Sequence, residues 1–119
     1  MAVSSDFRGR TAEGAVSALR IVKPGTAAMG CLQATGATDK LLGTSDELDH
    51  VSGEVVDVSM GEIHKVRLGG TVGAGDALTS DANGKAIATT TIGNRSIGFA
   101  EVPGVADDVI TYIRSLHIV

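Results

Sequence analysis

The apolar residues of this chain come in runs of only a few, and turn signals cut each run short. The run 16–23 stops at Pro24-Gly25, Leu41-Leu42 at Gly43, Val66-Arg67-Leu68 at Gly69-Gly70 and Ile97 at Gly98. No segment offers the long 3.6-residue periodicity that an amphipathic helix needs. What remains is a set of short strands joined by tight turns, and the composition agrees. The 119 residues include 13 valines, 8 isoleucines and 11 threonines, with 16 glycines, 2 prolines and 3 aromatic residues. β-Branched side chains suit a pleated, half-buried surface, and glycine supplies the backbone angles of tight turns. The sequence therefore predicts an all-β fold with a core of small aliphatic side chains.

A chain of 119 residues buries roughly 65% of its unfolded surface on folding, enough for one core without disulfides or metals. The formal net charge is −4, so phosphate neutralisation cannot drive binding to nucleic acid. Three aromatic residues do not build a stacking platform for single strands either. Every apolar run falls far short of the roughly 20 residues needed to cross a bilayer as a helix. The opening Met1 to Arg10 has no hydrophobic stretch, so no secretory signal is expected. A single cysteine, Cys31, excludes an internal disulfide and suits synthesis in a reducing cytoplasm. Neither nucleic acid nor membrane is expected among its partners.

Residues 1–14 are polar, with Arg8, Arg10 and Glu13 breaking every run, and read as a flexible arm ahead of one β domain at 15–119. The same segment fits one that orders on a partner, with Val3 and Phe7 as anchors. Strands are predicted at 16–23, 30–34, 40–44, 55–60, 63–68, 76–79, 85–91, 96–101 and 108–114, with a last one at 116–119. Residues 44–50 are the one candidate for a helical turn or two. Alternation places Val56, Val58 and Met60 on one strand face, and His64, Val66 and Leu68 on another. Asp81-Ala82-Asn83-Gly84 is the strongest hairpin signal.

A faint duplication runs through this pattern. Residues 19–26 and Gly30 are echoed by 66–71 and Gly75, Leu42-Gly43 by Ile97-Gly98, and 53–58 by 107–112. The physical reading is two similar β-units, each too small to bury its apolar face alone.

Signatures of chemistry are missing from the text. No Gly-x-Ser-x-Gly elbow presents a serine nucleophile. Cys31 lies in an apolar run without a neighbouring His or Lys, as inert buried thiols do. His50, His64 and His117 lack the local spacing of zinc ligands. The glycines of 69–76 lead into a strand and turn without the Gly-Lys-Ser/Thr of a phosphate loop, and read as tight turns. Residues 79–90 begin and end on threonine where a calcium loop needs an acid and a bidentate Glu. Asn94-Arg95-Ser96 reads as a surface turn. The acidic clusters Asp46, Glu47, Asp49 and Asp107-Asp108 read as solvated loops. No catalytic residue, cofactor or metal is expected.

The stretch 66–86, with Arg67-Leu68-Gly69-Gly70-Thr71-Val72, Ala74-Gly75-Asp76, Leu78-Thr79-Ser80-Asp81 and Gly84-Lys85-Ala86, resembles a signature of the small capsid decoration, or cement, proteins of tailed bacteriophages. Leu41-Leu42-Gly43 followed by Asp46, Ile97-Gly98-Phe99-Ala100-Glu101 and the strand from Asp108 are similar to further segments of that family. The resemblance spans roughly residues 15–114. It implies a non-enzymatic structural protein with a β-clip-like or small β-barrel domain. It implies a homotrimer, in preference to a dimer, on the exterior of the virion, binding the major capsid protein of the expanded shell and stabilising its lattice. The protein would be made in the bacterial host cytoplasm. Capsid contacts of such proteins spread over the arm and the domain base, which marks Val3, Phe7, Arg8 and Arg10 as contact candidates. The alternatives are a β binding module for carbohydrate or host-surface adhesion, for which Phe7, Phe99 and Tyr112 are sparse stacking material, and a nucleotide hydrolase on a β-clip scaffold, whose Asp, Arg and aromatic constellation is not legible.

Overall fold

A computed structural model describes residues 6–119. It holds β1 (Phe7–Ala12), β2 (Ile21–Pro24), β3 (Gly30–Gln33), β4 (Gly43–Thr44), β5 (Val55–Ser59), β6 (Ile63–Arg67), β7 (Ala77–Ser80), β8 (Ala86–Ala88), β9 (Arg95–Ala100) and β10 (Val109–Ile118). The first five strands close a barrel in the order β1-β3-β2-β4-β5, and the last five form a sheet in the order β6-β10-β9-β7-β8. No helix occurs among the described residues, so the fold is all-β. The helical turn expected at 44–50 is a loop. There the Asp46 carboxylate accepts the Leu48 and Asp57 N–H groups and faces the His50 ring nitrogen at 2.9 Å. Such side-chain acceptors stabilise a loop against the helix ladder.

Residues 7–12 are a wall of the barrel and not a free arm. β1 pairs with β5 from Phe7↔Ser59 to Thr11↔Val55 and runs parallel to β3 at Thr11↔Gly30 and Ala12↔Cys31. The polar text of this strand concealed it, because its place is held by backbone pairing with neighbours more than by apolar burial. Val3 lies outside the described residues.

The two sheets are copies of one unit. β1, β5, β4, β2 and β3 occupy in the first unit the places of β6, β10, β9, β7 and β8 in the second. The registers repeat: Phe7↔Ser59 matches Ile63↔Ile113, Thr11↔Val55 matches Arg67↔Val109, and Thr44↔Ser59 matches Phe99↔Ile113. The reciprocal bridge Val16↔His50 recurs as Val72↔Gly104. Even the left-handed residues correspond: Leu19 (φ 56°) with Gly75 (85°), Met29 (59°) with Gly84 (72°), and Asp107 (70°) with Gly53 (92°). The sequence echoes at 42–43/97–98 and 53–58/107–112 fall on this correspondence. The echo of 19–30 in 66–75 does not, since Leu19 is the counterpart of Gly75 and the true partner of β6 is β1. Similar strand text in a glycine-rich chain aligns easily out of register.

The cores follow the repeat. Ala12, Val16, Val22, Cys31, Val56 and Val58 fill the first unit, and their counterparts Leu68, Val72, Leu78, Ala86, Ile110 and Tyr112 fill the second. The difference lies in closure. In the first unit the Thr11 N–H donates to the Met29 carbonyl at 2.9 Å, which shuts the barrel. In the second, a single parallel bridge, Leu68↔Ala86, holds the corresponding seam. Leu19 to Ile21 of the first unit wedge beside it: the Arg67 N–H donates to the Leu19 carbonyl at 3.0 Å and the Ile21 N–H to the Gly84 carbonyl at 2.7 Å. Ile21, Ala34 and Leu41 join the core of the second unit behind this wedge.

Candidate interaction surfaces

The sequence-derived contact candidates fall on opposite sides of β1. Arg8 and Arg10 stand opposite the buried Val58 and Val56, on the face that turns toward the barrel interior. Arg8 is exposed there, while Arg10 is partly buried, donates to the Gly30 carbonyl at 3.2 Å and leaves its Nε without a hydrogen-bond partner among the described residues. Arg10 occupies the place that Val66 fills in the second unit. Phe7 points the other way and lays its ring edge-on against His64, with centroids 5.0 Å apart. The structure therefore brings the two arginines to one rim and separates them from Phe7.

Phe7 covers the seam between the units. Beneath it, the Thr44 Oγ1 lies 3.1 Å from the Tyr112 hydroxyl and 3.4 Å from His64 Nδ1, and all three residues are buried. β4 of the first unit supplies Thr44, and β6 and β10 of the second supply the other two. Burial pushes the Tyr112 pKa up to about 12. Burial likewise pulls the His64 imidazole below its ordinary value of 6.5. The nearby Lys65 charge acts in the same direction, while the Lys65 carbonyl and Glu47 oppose it.

That shift has a measurable consequence. The unfolded chain takes up a proton on this histidine near pH ~6.5, whereas the folded chain resists until lower pH. The unfolded state thus binds more protons in that window, and stability falls as pH drops through it. The urea midpoint is expected to be lower at about pH 5.5 than at about pH 7.5, and His64→Gln should lose most of that difference. An undiminished difference in the variant would assign the effect to another group.

The acidic cluster is structural. Asp49 accepts the Ala18 N–H, Glu47 pairs with Lys65 at 3.1 Å, and Asp46 and Glu54 flank the two ring nitrogens of His50. No group of three or more His, Cys, Asp or Glu side chains suited to a metal occurs among the described residues. Cys31 is buried in the first core, and burial raises its thiol pKa.

A second surface escaped the sequence reading. Ile63, Ile113, Phe99 and Ala77 pair directly across four adjacent strands, so their side chains share the outer face of the second sheet. Phe99 is 37% and Ile113 38% exposed, and Phe99 stacks on His117 at 5.0 Å. Beside Phe99 lies an open hollow of about 610 Å³ lined by Gly75, Asp76, Ala77, Ala88 and Thr89 among others. The signal was in the text: β9 and β10 carry apolar residues on both faces, as strands covered on both sides do.

No protein-family model matches the sequence, and none of the curated proteins compared matches it. Among solved structures, the fold is shared with the N base of the head fiber gp8.5 of bacteriophage phi29. The likeness has a TM-score of 0.73, covers 92% of this chain and 93% of that one, and carries 20% sequence identity.

Proposed function

We propose that this chain is a structural protein of a phage virion. It binds the outer surface of the expanded capsid, contacts the major capsid protein and reinforces its lattice as a homotrimer, with no catalytic role. The observation that carries the reading is the fold shared, over nearly the full length of both chains, with the base of a phage head fiber. The resemblance of 66–86 to the capsid cement proteins supports it independently. An acidic exterior also avoids non-specific attraction to DNA. Arg8 and Arg10 at the barrel rim, Phe7 and Val3 are the proposed contacts with the shell.

Co-sedimentation with expanded, undecorated capsid shells of the source phage, and with unexpanded proheads, tests this. Saturable binding to expanded shells alone, at a fixed ratio to the major capsid protein, is the expected result. Absence of binding to both shells would remove the functional reading and leave the fold. The structure also dictates how to probe the N-terminus: a deletion of residues 1–14 removes β1 and opens the barrel. The informative variants are therefore removal of residues 1–5 and the charge reversal Arg8→Glu. Each is expected to weaken shell binding at least about tenfold, the scale of one modest interface contact.

A further inference from the structure

Because the chain repeats one unit, the first unit shows what the second lacks. The hollow beside Phe99 is lined by Gly75, Asp76, Ala77, Ala88 and Thr89. Their counterparts in the first unit are Leu19, Arg20, Ile21, Gln33 and Ala34, and Thr44 stands for Phe99. Those first-unit positions form the contact with the second unit. The Leu19 carbonyl and Ile21 N–H bond to Arg67 and Gly84, Arg20 and Gln33 both donate to the Asn83 carbonyl, and Ala34 and Thr44 are fully buried. The filling element there is the β7–β8 turn at Asn83-Gly84. Among the described residues, nothing fills the equivalent face of the second unit, yet it carries the larger apolar side chains, Phe99 and Ile113.

We infer that a second copy of this chain covers that face, inserting the β2–β3 turn of its first unit, with Met29 at the tip, into the hollow beside Phe99. Met29 is the counterpart of Gly84 in the filling turn, shares its left-handed backbone and is 43% exposed. The sizes are exchanged in a complementary way. Gly84 faces the long Arg20 and Gln33, and a side chain there would meet Gln33 Cγ at 2.7 Å and Arg20 Cβ at 3.2 Å. The corresponding floor of the open hollow is Asp76 and Ala88, short enough to admit the Met29 thioether chain. The Met29 carbonyl already accepts the Thr11 N–H and keeps a second lone pair for the partner copy. Side-chain burial carries the contact. The two patches differ, so the interface is head-to-tail, and the proposed homotrimer is the ring formed when its rotation closes after three copies. This assignment rests on the self-association in the proposed function and is independent of capsid binding.

Sedimentation velocity on the full chain from micromolar to sub-millimolar concentration tests it, with circular dichroism to verify folding. Phe99→Asp and Met29→Asp are each expected to raise the dissociation constant at least about 30-fold, as loss of a central interface anchor does. Leu48→Ser, at an exposed leucine of the 44–50 loop that lines neither patch, should behave as wild type. A mixture of Phe99→Asp and Met29→Asp chains should form a one-to-one dimer, because each supplies the half the other lacks. Ala88→Glu, at an exposed site, blocks the hollow should Phe99→Asp misfold. Assembly unaffected by these changes, a mixture that stays monomeric, or a wild-type chain that stays monomeric throughout would each overturn the inference. Shell binding by a monomeric chain would refute this surface alone, whereas assembly without shell binding would refute the capsid reading alone.

Discussion

Gly98→Ala is expected to lose about 3–5 kcal/mol of stability, enough to leave much of the chain unfolded given a total of ~5–15 kcal/mol. Two effects add at this position. The backbone sits at φ 149°, which side-chain-bearing residues rarely adopt, and a Cβ there would collide with the Ile113 carbonyl and meet the Ser115 nitrogen at 2.8 Å. Both are main-chain atoms of β10 and cannot rotate away. The repeat supplies its own controls. Gly43, the counterpart in the first unit, would place a Cβ against the Ser59 carbonyl, with no left-handed φ. Gly43→Ala should therefore cost the steric part, about 2–3 kcal/mol. Gly93 has φ 97° but open space around it, so Gly93→Ala should cost only about 1 kcal/mol of backbone strain. Urea denaturation of the three variants checks the ranking. A Gly98→Ala protein within about 1 kcal/mol of wild type would contradict the register of β9 on β10.

The second large effect belongs to Tyr112, the largest fully buried side chain. Tyr112→Ala should cost about 3–5 kcal/mol, from lost burial and the cavity left in the core of the second unit. Tyr112→Phe keeps the ring and removes the hydroxyl, leaving Thr44 Oγ1 with the longer contact to His64. Its cost should be about 1–2 kcal/mol. Thr44→Val should be similar, and the double variant should cost clearly less than the two singles together, because both remove one contact. Strict additivity in that cycle would show that Thr44 and Tyr112 do not stabilise the seam through each other. Since one residue comes from each unit, the cycle measures how firmly the two halves are joined.

Much of the fold was legible because alternation and turn chemistry are local. Val56 and Val58 on one face, His64, Val66 and Leu68 on another, and the Asp81 to Gly84 hairpin all stand as read. The Asp81 carboxylate accepts the Asn83 and Lys85 N–H groups, a bond set written into the five residues from Asp81 to Lys85. Residues 109–118 became one strand instead of two because a bulge between Arg114 and His117 carries the pairing past the polar Arg114-Ser115. β1 was hidden for the opposite reason. Its partners lie some fifty residues away on β5, and no local property of Phe7 to Ala12 announces them.

The candidate sites divide along the same line. That Phe7, Arg8 and Arg10 sit together in the chain was plain, but strand alternation sends Phe7 to one side and the arginines to the other. Phe99, read from the sequence only as sparse stacking material, shares an outer face with Ile113 because the strand order places β9 beside β10.

From its sequence alone, this chain was bound to be an all-β protein with small aliphatic cores and glycine turns, because those preferences act within a few residues. The glycine at 98 and the apolar content of β9 and β10 were also there to read, though not what they faced. Only the tertiary structure decided that two five-stranded units follow one another in the same strand order, that one is shut and the other wedged open by Leu19 to Ile21, and that among the described residues one apolar face is left without cover. Those outcomes depend on contacts between residues far apart in the chain, where register, closure and burial are settled jointly and no single segment carries the information.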